Sequence, residues 1–212
     1  MTTKKILLLF AHPAQGDSEV NKTLFSALKK VDHVTAVDLY AEYPKFHIDV
    51  EREQQRLLEH DIVVFQFPLY WYSSPAIIKE WQDLVLEYGF AYGKSGDKLK
   101  DKTLFILTSA GAQESAYQTE GLNQYPLREL LRPFEQVAHL CKMHYIPPLV
   151  LFGARTAKED GRIEPHTKKA SALFKALSDG SLTYESFGDI DLSNRYYNND
   201  NNANTTNKNN EV

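Results

Sequence analysis

Residues 61–75 read DIVVFQFPLYWYSSP. From Ile62 to Phe67 the run is apolar except for Gln66, the pattern of a strand buried on both faces of a parallel sheet. Pro68 closes it, and Tyr70, Trp71 and Tyr72 then stand where the chain has to turn. Three consecutive aromatics cannot all enter one core, so at least one is expected to stand exposed with a flat apolar surface and a polar tip. Ser74 and Pro75 mark a helix start, after which Ile78, Trp81 and Val85 recur on one side.

The same strand, turn and helix unit repeats in both directions. Upstream, Ile6–Ala11 is a continuous apolar run, followed by a loop with Gly16 and Asp17 and a helix carrying Val20, Leu24 and Leu28, with Ser18 or Asp17 as its cap. VTAVDLY predicts a second strand, and EYPKFHIDVEREQQRLLEH a loop leading to a short polar-faced helix before the opening stretch. Downstream, TLFILTSA predicts a fourth strand, RELLRPFEQVAHLC a helix interrupted or restarted at Pro133, and HYIPPLVLFGA a fifth strand. HTKKASALFKALSDG is a last helix that stops at Gly180. Repeated alternation of this kind predicts an α/β fold, an open parallel sheet with helices on both faces. Residues 1–180 are expected to form the domain and 181–212 a C-terminal extension, Asn-rich and disordered from about residue 198.

Composition fits a single core. The chain has 212 residues, 42% hydrophobic and 25% charged, with a net charge of -4 that offers no general attraction to nucleic acid or an anionic membrane. Cys141 is the only cysteine, so no intramolecular disulfide or multi-cysteine metal site can form, and its place in an apolar helix face makes it a structural thiol. The apolar run after Lys4 and Lys5 is too short for a membrane span or a secretion signal, and no later run reaches membrane length. A cytoplasmic location without direct membrane insertion is the expectation.

In an open parallel sheet, ligands collect beyond the carboxyl ends of the strands. The loop after the first strand offers His12, Ser18 and Asn21 at a helix start, where free amides and the helix dipole attract phosphate. It has neither GxGxxG nor GxxxxGK[ST] spacing. The loop after the fourth strand sets Gly111 between alanines, so its backbone can approach a ligand and present amides to a ring that gains negative charge. With the aromatic turn, these features suit a planar redox heterocycle; a hydrophobic interface patch beside an ordinary turn and a helix cap is the plainer alternative.

KILLLFAHPAQGDSEVN, FQFPLYWYSSPAIIKEWQDLVLEYGFAYG and LTSAGAQESAYQTEG resemble the flavodoxin-like NAD(P)H:quinone oxidoreductases, in particular the bacterial branch related to the ancillary flavoproteins of glutathione-regulated potassium efflux systems. The resemblance runs from Lys5 to about Ser178. It implies that His12, Ser18, Glu19, Val20 and Asn21 surround a flavin phosphate. Pro68, Leu69, Tyr70 and Trp71 would line the ring with Tyr72 at its edge, and Thr108, Ser109, Ala110, Gly111 and Ala112 would form the second flavin loop. Tyr117 matches the active-site tyrosine. Two positions depart from the family: TSAG replaces TTGG, and Asn123 stands where mammalian members have a histidine, so no imidazole can shuttle a proton there.

The activity implied is two-electron transfer from NADH or NADPH through FMN, with FAD as the alternative, to a quinone or similar flat electrophile. No metal is called for. The resemblance also implies a homodimer and raises a regulatory role on a membrane potassium transporter, which would hold the chain peripheral to the inner membrane through a protein contact. An electron-transfer flavodoxin without nicotinamide turnover is the third reading.

Overall fold

The structure is a computed structural model that describes residues 3–14 and 18–196. Five parallel strands form one sheet in the order β2-β1-β3-β4-β5. They are β1 (Ile6–Phe10), β2 (Val34–Asp38), β3 (Ile62–Pro68), β4 (Thr103–Ser109) and β5 (His144–Leu151). Every residue of β1 and β3 is buried, as their unbroken apolar runs require of strands covered on both faces. The order turns back between β1 and β3, the switch point at which an α/β sheet opens a crevice beyond its strand ends.

The helices are α1 (Glu19–Leu28), α2 (Leu39–Glu42), α3 (Val50–Glu59), α4 (Ala76–Val85), α5 (Leu127–Leu130), α6 (Arg132–Leu140) and α7 (Ile163–Asp179). On one face of the sheet, Ile6, Leu8 and Val64 meet Leu24 and Leu28 of α1 and Leu173 and Phe174 of α7. On the other, Leu7, Leu9 and Phe65 meet Leu57 of α3, Trp81 of α4 and Phe134 of α6. Glu53 of α3 is fully buried there, which a carboxylate tolerates only when paired. It accepts from Tyr43 Oη at 2.6 Å and Trp81 Nε1 at 2.9 Å, and pairs with Arg56. The aromatic turn is thereby mounted on a helix whose tryptophan is locked from below.

Several expected boundaries move for local reasons. β2 stops at Asp38 because its Oδ1 accepts from Tyr40 N at 3.1 Å and Ala41 N at 3.2 Å, capping α2 in place of two further strand residues. Ser74 makes no cap; α4 begins after an extended Pro75 with no side-chain cap bond. Pro133 falls in the first turn of α6, where its missing N–H costs nothing. α7 starts at Ile163, ahead of the expected His166, and ends at Gly180 with φ 76°, a left-handed stop suited to glycine.

The C-terminal extension does not separate from the domain at residue 180. Leu182, Phe187 and Leu192 are buried, Leu182 and Phe187 with the α1 and α7 layer and Leu192 on the opposite face. The Asn-rich stretch from about residue 198 lies outside the described residues.

Candidate active site

A cavity of about 720 Å³ opens beyond the carboxyl ends of the strands, within the roughly 300–1,000 Å³ span of small-molecule pockets. Its first wall is the start of α1. Ser18 Oγ accepts from Asn21 N at 3.2 Å and caps the helix, leaving the other first-turn amides at the positive end of its dipole. Asn21 is buried, and its Nδ2 donates to Ser109 Oγ at 2.9 Å while its carbonyl accepts from Gln66 Nε2 at 2.9 Å. One residue thus ties the first loop to β3 and β4. His12 lines the cavity beside it, with Nδ1 accepting from Ala14 N at 3.2 Å and its ring edge-on to Tyr70. Glu19 and Val20 complete this wall, Glu19 in an ion pair with Lys158.

The second wall is the aromatic turn. Leu69 N donates to Ser109 O at 2.8 Å, and Tyr70 and Ser73 exchange backbone bonds of 2.9 Å and 3.0 Å, closing a tight turn. Trp71 and Tyr72, the two residues between, have φ of 48° and 64°. Pro68, Leu69, Tyr70 and Tyr72 line the cavity. Trp71 does not, and its side chain stands 93% exposed.

Ser109, Gly111 and Ala112 form the third wall. Thr108 and Ala110 of the same loop are buried: Thr108 Oγ1 donates to Phe67 O at 2.8 Å, and Ala110 N donates to Leu151 O at 2.9 Å. These bonds hold the loop from behind. At Gly111 an added Cβ would come 3.3 Å from Arg155 Nε, so the missing side chain keeps open the space between the loop and that cation. Tyr117 and Asn123 both reach the cavity, brought together because Asn123 N donates to Ala116 O at 2.9 Å. Burial raises the Tyr117 phenol above its ordinary pKa; a hydrogen bond with the Ala112 backbone opposes this, the nearby Tyr72 adds to it and Arg155 opposes it. At neutral pH Tyr117 is a protonated donor.

Sequence reasoning missed Ala14, Leu122, Ala154, Arg155 and Lys158, all of which line the cavity. The last three belong to the loop after β5, a fourth strand end whose GARTAK segment carries two cations within four residues. That charge at a carboxyl-end loop was the signal available. Lys158, paired with Glu19 of α1, lies toward the helix start, whereas Arg155 stands by Gly111 and Tyr117.

The arrangement fits a flavin nucleotide. A helix start with a hydroxyl cap and a lysine suits its phosphate. A small-residue loop facing aromatic side chains, with a cation and a phenol donor, suits a flat ring that takes up negative charge. No helix among the described residues is long and apolar enough to cross a membrane.

Residues 4–174 match the model of a family described as having the flavodoxin-like fold. The glutathione-regulated potassium-efflux system ancillary protein KefG of Erwinia tasmaniensis is 48% identical over 151 residues, 71% of this chain and 82% of that protein. General stress protein 14 of Treponema denticola, solved in complex with FMN, superposes with a TM-score of 0.77 at 37% identity, covering 82% of this chain and 99% of that one. An NADPH-quinone reductase from P. pentosaceus gives a TM-score of 0.70 at 30% identity, covering 82% and 97%.

Proposed function

Because this chain belongs to the flavodoxin-like fold family, we propose that it is an NAD(P)H-dependent flavoprotein oxidoreductase that passes two electrons to a quinone or similar flat electrophile. The observation that carries the reading is one cavity walled by the start of α1, the Pro68–Tyr72 turn and the Ser109–Ala112 loop, with Tyr117 at its side. FMN is the cofactor that best suits a single phosphate site at α1; NADH or NADPH is the donor. Bound flavin supplies the redox chemistry, accepting and releasing an electron pair.

The chain's own residues bind and orient. Ser18, the first-turn amides of α1 and Lys158 hold the phosphate, and His12 with Asn21 fixes the loop that presents them. Tyr70 and Tyr72 provide apolar surface with polar tips, while Gly111 and Ala112 let the backbone approach the ring. Tyr117 donates a hydrogen bond from its protonated phenol, and Arg155 offsets negative charge nearby. Asn123 orients a substrate or water by hydrogen bonding, since it cannot take the histidine's acid role. We propose a shared site, in which nicotinamide leaves before the acceptor enters.

The test uses purified protein incubated with FMN or FAD. Yellow colour retained through desalting, bleached anaerobically by NADH or NADPH and restored by a quinone, with parallel initial-rate lines, is the expected result. Folded protein that holds neither flavin at micromolar concentration would overturn the reading, and intersecting lines would overturn the shared-site order. Mass spectrometry of the released chromophore decides FMN against FAD, and light scattering tests the proposed homodimer.

A second reading, an ancillary subunit acting on a potassium efflux transporter, is favoured by the 48% identity to KefG. Flavin that binds but resists reduction by either nicotinamide would favour it, and it can coexist with the first.

A further inference from the structure

The chain beyond the family match reaches back to the cleft. Ser193 is fully buried and its Oγ donates to Pro147 O at 2.5 Å. The Asn194 side chain accepts from Val150 N at 2.9 Å and donates to Val150 O at 2.8 Å. β5 is an edge strand, so this one amide satisfies both backbone groups of a residue that an edge leaves open. Arg128 Nη1 donates to Ile190 O at 2.8 Å, and Arg195 pairs with Asp191 at 3.3 Å and with Glu114 across the gap.

Glu114 opens the 3₁₀ turn Glu114–Ala116, which delivers Tyr117 to the cavity. Within the turn, Ala116 N donates to Gln113 O at 3.0 Å and Tyr117 N to Glu114 O at 2.9 Å, and Ala116 O accepts from Asn123 N at 2.9 Å. Short 3₁₀ segments have poor hydrogen-bond geometry, so neighbours decide where they sit. The Tyr117 ring rests against Phe152, just past β5, with centroids 5.7 Å apart. The turn is therefore held at both ends, at Glu114 by Arg195 and at Tyr117 by the end of the strand that Asn194 grips.

We propose that residues 187–195 form a strap that sets the position of Tyr117 in the cleft, with Arg195 as a positioning residue acting through Glu114. The kinetic part rests on the reading that Tyr117 serves a reaction in this cavity. Both partners of the Arg195–Glu114 pair are about one-third exposed, 37% each, so the pair adds little to global stability. Its effect is local, on the geometry of the turn that ends at Tyr117. Displacing a reacting group by about 1 Å can lower a rate by about a hundredfold, so a contact remote from substrate has leverage on turnover.

The test compares wild type, Arg195→Ala, Tyr117→Phe and the double variant in the full chain. Without cofactor, hydrogen exchange at the Ala116 and Tyr117 amides should accelerate about tenfold or more in Arg195→Ala, while β1 and β3 amides stay protected. With cofactor, Arg195→Ala should slow turnover at unchanged flavin content, and the double variant should be no slower than Tyr117→Phe alone. The swapped pair Glu114→Arg with Arg195→Glu should restore protection. Unchanged exchange at the two amides, or losses that multiply in the double variant, would overturn the proposal. If wild type reduces no quinone, the exchange arm alone decides: protection lost upholds the strap, and protection kept overturns it.

Discussion

At the amino end of the sheet, charged side chains are committed to one another and to the backbone. Lys4 pairs with Asp61 at 3.9 Å, Asp61 Oδ2 accepts from Lys5 N at 2.8 Å, and Lys102 Nζ donates to the carbonyls of Leu58 and His60 at 3.3 Å and 2.5 Å. His144 stacks on Tyr184 with centroids 3.7 Å apart. At the carboxyl end, the same kinds of residue face a cavity of about 720 Å³, and the bonds that fix the loops run through Asn21 in its wall and through Thr108 and Ala110 behind it. The amino end has a smaller cavity, about 220 Å³, lined in part by these already paired groups; the larger one at the carboxyl end keeps groups presented to a ligand. Substitutions at the first should lower stability and leave turnover alone, and substitutions in the cavity lining should do the reverse.

The largest expected effect comes from His166, in the first turn of α7, buried yet not part of the cavity. Its Nε2 has no hydrogen-bond partner, and burial, aided by the Lys169 charge, lowers its pKa to about 4. The unfolded chain has a histidine near 6.5 and so binds more protons between about pH 6.5 and 4. A depressed pKa means that this stability is present above about 6.5 and lost as pH falls toward 4, by up to about 3 kcal/mol. Urea unfolding at pH 7 and pH 4.5 should show a clear drop in wild type and a smaller one in His166→Gln. Equal drops would assign the acid sensitivity elsewhere.

How much of this was legible follows from which residues speak through a repeated pattern. The runs Ile6–Phe10 and Ile62–Phe67 announce buried parallel strands because, Gln66 apart, every position is apolar. The strand-end rule then collects Ser18, Asn21, Gly111 and Tyr117 at one cleft, since topology does most of that work. The strap was not legible: its apolar residues Phe187 and Leu192 have no helical or strand period, and its grip depends on single polar contacts such as Asn194 to Val150. Nor could sequence show that the Trp71 side chain stands 93% exposed, or that Thr108 and Ala110 are buried.

Tyr117→Phe probes the cavity lining. It keeps the ring against Phe152 and removes only the hydroxyl, so the thermal midpoint and flavin content should hold. One half-reaction should slow roughly tenfold, about 1.4 kcal/mol of transition-state stabilisation. Stopped-flow traces of reduction by nicotinamide and reoxidation by quinone identify which. A variant that loses flavin or stability, with the rate per bound flavin unchanged, would break the division between the two ends.

Lys102→Met is the matching change at the amino end. It keeps the stem and deletes the donor to the carbonyls of Leu58 and His60, where α3 finishes and β3 begins. A cation bonded to carbonyls at a helix C-terminus stabilises them, so about 1 kcal/mol should be lost. Turnover per bound flavin should match wild type, and slowed turnover would show that the amino end reaches the chemistry.

Trp71→Ala should have the smallest effect, and it sharpens the comparison most. Chemistry alone would make Trp71 the strongest ring-stacking residue of the turn, yet it is 93% exposed and outside the cavity lining. The turn is closed by backbone bonds between Tyr70 and Ser73, which do not need the indole. In the isolated chain its removal should shift stability by less than about 0.5 kcal/mol, as for other surface changes. Flavin affinity, read by fluorescence titration, should stay within about twofold, because Tyr70 and Tyr72 supply the aromatic surface inside. A large loss of affinity at all protein concentrations would mean that the turn closes over the ring when flavin binds. A loss confined to concentrations at which the protein is dimeric would place the indole against a second copy, and the carboxyl end would then be completed by a partner.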